Sequence, residues 1–199
     1  MTDGKTEESE HRIVATQTAH AGWTRLLLAT LRLADGRTIR REIEDHGEAA
    51  CVLPYHPGRK TAILVRQLRV PILFAANAQE TLEAIAGVIE DEDAAACARR
   101  EAKEEAQLEL HSVEHLFTAW TMPGLSTERM HFYLARYAGE ARDEVRGGIA
   151  GDHEETIAVE IGLAELARMA DGNELADVKT LLLLQTLRLR QPHLFVSGA

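Results

Sequence analysis

The alternation of apolar and polar positions predicts several strands in the first third of the chain. Residues 24–34 and 37–44 mix apolar and polar side chains on either side of Asp35-Gly36, a pair that favours a short hairpin turn. Residues 49–56 and 60–68 are two nearly continuous apolar runs, typical of buried strands. The pattern therefore predicts a hairpin followed by the first strands of a larger sheet.

Segment 94–106 carries a helical pattern instead. It contains no Gly or Pro, is rich in strong helix formers, and follows Asp93, a residue type that caps helix N-termini well. Two further strand candidates follow, at 114–121 and 130–138, with a Pro-Gly loop between them. This order of elements indicates that strands and helices alternate in one layered fold.

The last third of the chain is predicted to begin with a loop. Segment 139–155 is rich in Gly and acidic residues, and a short strand is predicted at 156–161. Helical patterns follow at 163–170 and at about 176–189. Earlier in the chain, residues 71–80 show no hydrophobic periodicity and are also interpreted as a loop. The whole pattern predicts an α/β (α+β) fold, with a sheet sandwiched between helices and a small N-terminal antiparallel β region.

Composition divides the chain into three predicted parts. The polar, acidic start predicts a disordered tail over 1–15, followed by the N-terminal β region, 16–48, and the main domain, 49–199. No run approaches the ~18 apolar residues of a membrane span, and the start lacks the composition of a secretion signal. We therefore expect a cytoplasmic protein that does not bind membranes.

Charge and cysteine content narrow the function classes. A formal net charge of -10 opposes binding to extended nucleic acid unless metal ions screen the approach, whereas small anionic substrates remain possible. The two cysteines, Cys51 and Cys97, are predicted to be buried thiols, because two residues cannot form a disulfide framework.

Three glutamates share one face of the predicted helix. Glu101, Glu104 and Glu105 fall at positions i, i+3 and i+4, where like charges repel by a few tenths of a kcal/mol per pair. The helix dipole also disfavours anions near a C-terminus. A divalent cation reverses the sign, since carboxylate oxygens are the ligands that magnesium accepts. The alternative is a solvated face whose repulsion is moderated by neighbouring basic residues.

The residues around these glutamates resemble the signature of a known family. From Gly87 the chain reads GVIEDEDAAACARREAKEEAQL, which resembles the loop-helix-loop box of the Nudix hydrolases. The box is one residue shorter than usual, Asp93 stands where Glu is usual, and Gln107 replaces a Gly. That glycine normally ends the helix with a positive φ, which a residue with a side chain adopts reluctantly.

The resemblance extends over about residues 35–190, where the sequence is similar to one Nudix branch, the ADP-ribose and GDP-mannose pyrophosphatases. It includes RQLR from Arg66, the Ala86-Gly87 pair, PGLSTERMHFYLA from Pro123 and DVKTLLLLQTL from Asp177. It implies the Nudix fold for 49–199, with a mixed sheet between helices. It also implies hydrolysis of the pyrophosphate bond of a nucleoside diphosphate sugar, such as GDP-mannose or ADP-ribose.

The resemblance also implies a metal site that holds Mg²⁺ or Mn²⁺. Its ligands would be the backbone carbonyl of Ala86 and the carboxylates of Glu101 and Glu105. Glu104 would support the catalytic site, and Arg100 would orient the glutamates. Two neighbouring carboxylates in the late loop, Glu154 and Glu155, are the candidates for a further ligand or for the general base, with Glu155 the better match.

The branch further implies substrate contacts and a homodimer in which the N-terminal sheets pack together. The predicted substrate-binding residues are Arg40, Arg41, Glu42, Arg69, Glu128 and Lys179. The alternatives are solvent-facing arginines and, for Glu128, a carboxylate that stabilises a turn. Trp23 and Tyr55 are the candidates for stacking on a base, whereas Phe117, Trp120, Phe132 and Tyr133 are expected in the core. A ligand sensor without catalysis, or a structural protein, are the competing functions.

Overall fold

The computed structural model describes residues 10–140, 143–148 and 155–196, which divide into two compact units. One unit comprises the described residues up to Glu48 together with Ala119–Arg129. The other comprises the rest. Among the residues that the structure describes, no helix is long and apolar enough to cross a bilayer.

The first unit is built on a three-stranded antiparallel sheet in the order β1-β2-β3. Its strands are β1 (Arg12–Ala21), β2 (Arg25–Arg32) and β3 (Thr38–Asp45). The predicted hairpin is confirmed: Gly36 occupies its turn with φ +84, a conformation that favours glycine.

Residues 12–15 correct one prediction, because they lie in β1 and not in a disordered tail. β1 is held by its antiparallel pairing to β2, in which Thr16 lies opposite Ala29. Every residue of β1 is exposed. Without a buried face the strand has no apolar alternation, so its sequence gave no strand signal.

The larger sheet has eight strands, and the elements that build it follow β3 along the chain. The strands are β4 (Glu48–His56), β5 (Thr61–Gln67), β6 (Thr81–Glu83), β7 (Ile85–Val88), β8 (Glu114–Trp120), β9 (Arg129–Arg136), β10 (Val145–Gly147) and β11 (Thr156–Gly162). The helices are α1 (Val70–Ala76), α2 (Ala94–Ala106), α3 (Leu163–Asp171) and α4 (Val178–Arg190). The sheet order is β10-β11-β5-β4-β9-β8, with β6 beside β5 and β7 beside β4.

One hydrophobic cluster of the second unit lies between α2 and the sheet, and α3 and α4 bury further leucines. α2 packs against β7, β5, β10 and β11, and it buries small side chains such as Cys97, Ala98 and Ala102. Small residues let the helix backbone approach the strands closely. Cys51 and Cys97 are buried free thiols, as predicted, and burial raises the pKa of Cys97 to about 12. The sheet between helices confirms the predicted fold class.

Two predicted loops contain regular structure. α1 occupies most of segment 71–80 although none of its residues is buried, so neither burial nor an apolar period marked it. β10 lies inside segment 139–155 and pairs with β11. Three residues of β10 are too few for a recognisable period.

Candidate active site

The position of the carboxylates is set by the start of α2. The side chain of Asp93 accepts a hydrogen bond from the amide of Ala96 at 2.7 Å, which satisfies an unpaired donor of the first turn. With the helix start fixed, the three glutamates fall in its last two turns. The predicted helix bounds are therefore confirmed.

Glu101 lies against the backbone of Gly87. A Cβ atom at Gly87 would lie only 1.8 Å from Oε1 of Glu101, so the carboxylate occupies the space that a side chain would need. The Glu101 side chain is only 12% exposed. This contact explains why a glycine stands at the start of the box.

Glu105 reaches the neighbouring residue of the same strand. Its Oε2 atom lies 3.4 Å from the amide nitrogen of Ala86, and the residue is 7% exposed. Ala86, Glu101 and Glu105, three of the four predicted metal ligands, are therefore brought together where β7 meets α2. A solvated helix face, the alternative interpretation, does not describe the buried Glu105 or a Glu101 side chain that is only 12% exposed.

Arg100 joins the carboxylates on the same side of α2. Its Nη1 atom donates to Glu101 at 2.6 Å and to Glu104 at 2.9 Å. Its Nε atom donates to Glu92 at 2.9 Å. Burial works against the charged guanidinium, but the bond to Glu92 and the charge of Glu101 outweigh this and raise the pKa of Arg100. Glu92 was not predicted.

The donor set suits a hard divalent cation completed by other ligands. Within the described ranges, no three Asp, Glu, His or Cys side chains are grouped to hold a metal ion. Magnesium does not require such a group, because it keeps several waters and is commonly bound by one or two carboxylates and substrate phosphates. The two carboxylates of Glu101 and Glu105 beside one backbone segment fit this preference.

Glu155 stands beside the end of α2, at the start of β11. The hydroxyl of Thr156, the next residue, donates to the carbonyl oxygen of Glu105 at 3.2 Å. The Glu155 side chain is 89% exposed, and its carboxylate lies 3.9 Å from Arg146. Glu154 lies outside the described residues.

A second buried carboxylate organises two of the predicted substrate-binding residues. Glu83 accepts two hydrogen bonds from Arg69, at 2.9 and 3.0 Å, and one from Lys179 at 2.5 Å. Lys179 also donates to Asp177 at 2.9 Å. Burial works against the charged carboxylate, but Arg69 and Lys179 outweigh it and lower the pKa of Glu83 to about 2.

Glu83 was missed by the sequence analysis, although one signal was present. It is the only acidic residue in the otherwise apolar run from Leu82 to Val88. An acidic residue in a buried strand requires a partner, since burying an unpaired charge is costly. Its partners could not be read from the sequence, because Lys179 lies 96 residues away.

The remaining predicted substrate residues belong to the first unit. Arg40, Arg41 and Glu42 are exposed on β3, with Arg40 and Glu42 on the face opposite to Arg41. Glu128 accepts a hydrogen bond from Thr121 within the same unit. That bond agrees with the alternative interpretation of Glu128 as a turn-stabilising carboxylate.

The aromatic residues divide differently from the prediction. Tyr55 is 2% exposed and is therefore unavailable for stacking on a base, whereas Trp23 is 85% exposed, with its ring edge-on to His46. Phe132 and Tyr133 are in the core as predicted. Trp120 is 56% exposed, which corrects its assignment to the core.

Comparison with known proteins settles the family. The NUDIX domain family matches residues 45–182, more than half of the chain. The protein belongs to the Nudix family of hydrolases. Similar proteins include the GDP-mannose pyrophosphatases of Pectobacterium atrosepticum (37% identical, covering 78% of this chain and 81% of the relative) and Escherichia coli K12 (34% identical, covering 77% and 81%).

A solved structure agrees on the fold of this Nudix hydrolase. An ADP compounds hydrolase superposes with a TM-score of 0.74, covering 92% of this chain and 95% of that protein, at 18% sequence identity. The identity is too low to carry more than the fold.

The box helix of this Nudix hydrolase ends on a glutamine. Gln107 adopts φ +48 and ψ +42, the left-handed conformation that favours glycine. The amides of Gln107 and Leu108 bond to the carbonyls of Lys103 and Ala102, which closes the last turn. The replacement of glycine therefore leaves the helix end at Ala106.

Proposed function

We propose that this Nudix hydrolase uses magnesium to cut the pyrophosphate bond of a nucleoside diphosphate sugar, with GDP-mannose as the first candidate. The products are a nucleoside monophosphate and a sugar phosphate, GMP and mannose 1-phosphate in the case of GDP-mannose. The names of the relatives support this choice of substrate. ADP-ribose, which would give AMP and ribose 5-phosphate, is the second candidate.

The observation that carries the proposal is that the largely enclosed Glu101 and the buried Glu105 lie against the backbone of Gly87 and Ala86. Two carboxylates enclosed side by side are unfavourable unless positive charge compensates them. Arg100 supplies one positive charge, which it shares with Glu92 and Glu104. A divalent cation would supply the remainder, held by the Ala86 carbonyl and the two carboxylates. Manganese offers the same preference for oxygen ligands.

The residues of this chain position the reaction components. Magnesium, when bound, lowers the pKa of an attacking water and offsets the charge that develops on the diphosphate. Arg100 holds Glu101 and Glu104 in place through its two bonds from one nitrogen. Such preorganised charge supplies most of the rate enhancement in reactions of this type.

The proton of the attacking water requires an acceptor near the end of α2. Glu155 is suited to this role because it is exposed and directly precedes Thr156, whose hydroxyl donates to the Glu105 carbonyl. It could instead ligate a second metal ion. Glu154, its neighbour, is the other candidate.

Arg69 and Lys179 are proposed to meet the anionic substrate. Both are already bonded to Glu83, which fixes their side chains but leaves no excess positive charge in the cluster, since Asp177 also pairs with Lys179. We also propose that the protein is a homodimer, in which Arg40, Arg41 and Glu42 of the N-terminal sheet contact the substrate.

The proposal is tested by incubating the protein with GDP-mannose, ADP-ribose, ADP-glucose and a dinucleotide at fixed magnesium, and again with a chelator. The expected result is release of nucleoside monophosphate that depends on metal and is fastest with a nucleotide sugar. If every substrate survives in magnesium while one of them binds, the protein is a sensor and the proposal fails. Metal-independent cleavage would equally contradict it.

A further inference from the structure

Three hydrogen bonds attach the last turn of α2 to the β10-β11 hairpin. The amide of Gly148 donates to the Glu104 carbonyl at 3.1 Å, and the Thr156 hydroxyl donates to the Glu105 carbonyl at 3.2 Å. The third bond comes from a side chain: Nε2 of Gln107 donates to the Arg146 carbonyl at 3.0 Å. The hairpin thus satisfies carbonyls that have no partner inside a helix.

The backbones of the hairpin and the helix also approach each other closely. A Cβ atom at Gly147 would lie 2.0 Å from the carbonyl oxygen of Glu105 and 2.9 Å from that of Glu104. The peptide groups that touch the hairpin therefore belong to two of the site glutamates. A small shift between helix end and hairpin would move both side chains.

The hairpin carries the proposed base next to this contact. Gly147 and Thr156 are cross-strand partners, and Glu155 directly precedes Thr156. The Gln107 bond ends on Arg146, one residue from the same pair. The hydrogen bond of Gln107 therefore joins the helix end to the strand pair beside both Glu105 and Glu155, where it can fix the distance between them.

We propose that Gln107 is a positioning residue, which holds the carboxylates at the end of α2 in register with Glu155. The inference rests on the proposed function. Glycine would suit the left-handed conformation of position 107 better, because a side chain there is strained. What glutamine adds is a donor that reaches the next structural element, which glycine cannot supply.

A second residue of this chain also combines a positive φ with a side-chain hydrogen bond to a backbone carbonyl, but it lies in a different turn from the glutamates of α2. Lys60, in the turn between β4 and β5, has φ +56, and its Nζ atom donates to the Val196 carbonyl at 2.9 Å. It shows that a lysine can occupy this conformation and still donate to a backbone carbonyl. It also provides a matched control.

The test compares Gln107→Gly, Gln107→Met and Gln107→Lys with the wild-type protein. Gln107→Gly removes the bond and the backbone strain, Gln107→Met removes only the bond, and Gln107→Lys keeps a donor. We expect kcat to fall about tenfold in the first two variants, as for a small misplacement of reacting groups, with KM changed less than about twofold. Gln107→Lys should recover most of the loss.

Stability separates positioning from a structural role. Gln107→Gly should melt at the wild-type temperature or above it, because relief of the strained φ offsets the lost bond. Its kcat should nevertheless fall. Lys60→Gly makes the same two changes in the β4-β5 turn and should leave kcat unchanged. A merely structural residue would lose activity only in step with stability.

Hydrogen exchange provides a readout that does not depend on turnover. The amide of Gly148, bonded to the Glu104 carbonyl, should exchange faster in Gln107→Gly and Gln107→Met than in the wild type. Unchanged exchange, or wild-type kcat in both variants, would overturn the inference while leaving the proposed function intact. Absence of turnover in the wild-type protein with altered exchange in the variants would instead count against the proposed function alone.

Discussion

Two clusters of carboxylates in the second unit, one around Glu83 and one around Arg100, differ in their balance of charge. Around Glu83, two carboxylates meet two cations, because Arg69 and Lys179 pair with Glu83 and Asp177. Around Arg100, the carboxylates of Glu92, Glu101 and Glu104 bond to a single guanidinium. Glu105 is buried beside them. The first cluster is neutral and the second is strongly negative.

The proposed function accounts for the difference: the Glu83 cluster is neutral by itself, whereas the Arg100 cluster is the one proposed to bind a divalent cation. In the Glu83 cluster the native contacts stabilise the ionised carboxylate and lower its pKa to about 2. In the Arg100 cluster, carboxylates outnumber the guanidinium within one short segment of structure. We therefore expect substitution of a glutamate to cost stability in the first cluster and catalysis in the second.

The largest expected effect is on turnover in Glu105→Gln. The amide keeps the size of the side chain but removes the charge that holds a metal ion, so turnover should fall by roughly three orders of magnitude or more while the fold persists. The measurement is the rate of monophosphate release at saturating magnesium. Glu109→Gln, at an exposed residue paired with Lys103, is the control and should retain activity. Wild-type turnover in Glu105→Gln would remove this residue from the metal site.

Glu83→Gln should have the largest effect on stability. Loss of the charge leaves Arg69 and Lys179 without their shared carboxylate, and breaking such a buried pair costs about 3 kcal/mol. Urea unfolding measures the change. Asp171→Asn breaks an exposed pair with Arg188 and should cost less than about 1 kcal/mol. Equal losses of unfolding free energy in the two variants would show that the Glu83 cluster stabilises the fold no more than an exposed ion pair does.

The pH dependence of stability gives the same comparison a second readout. Since the pKa of Glu83 is lowered in the folded protein from 4.5 to about 2, its contribution is present above about pH 4.5 and is lost as the pH falls towards 2. The difference in unfolding free energy between the wild type and Glu83→Gln should therefore shrink over this range. A difference independent of pH would contradict the assigned charge.

Gly87→Ala should damage the site with less effect on the fold. The added methyl group would meet the Glu101 carboxylate, which sits at the end of a flexible side chain and can move away. We expect turnover to fall about a hundredfold, as for a displaced catalytic group, with stability nearly kept. Gly162→Ala, where an added Cβ meets nothing within 4 Å, is the control. Full activity in Gly87→Ala would show that the close contact is dispensable.

The smallest expected effect is on the stability of Glu105→Gln in the absence of metal, where the substitution should not destabilise the protein. With a chelator present, Glu105→Gln should be as stable as the wild type or up to about 1 kcal/mol more stable, because repulsion near the helix C-terminus is relieved. Magnesium should raise the melting temperature of the wild type but not that of the variant. A large loss of stability without metal would make Glu105 a structural residue like Glu83.

Local sequence signals predicted the parts of the site that lie within one element. Asp93 caps α2, and the spacing of the glutamates placed them on one face, so the helix was predicted correctly. The orienting role of Arg100 came from the resemblance. The resemblance supplied Ala86, whose proximity to Glu105 the structure shows.

The parts that were missed depend on contacts between distant segments. Glu83 and Lys179 meet across 96 residues, and Gln107 reaches Arg146 across 39. β1 and α1 bury nothing, so their sequences lack the apolar period on which prediction relies. Tyr55 and Trp120 exchanged their expected environments, because exposure of a single aromatic residue is decided by tertiary packing.

The most direct test of the metal site is the binding of Mn²⁺, measured by electron paramagnetic resonance or calorimetry in the absence of substrate. We expect Mn²⁺ to bind to the wild type and to Glu83→Gln, and to bind much more weakly to the Glu101→Gln, Glu105→Gln double variant. Undiminished binding in the double variant would contradict the central claim that these two carboxylates hold the cation.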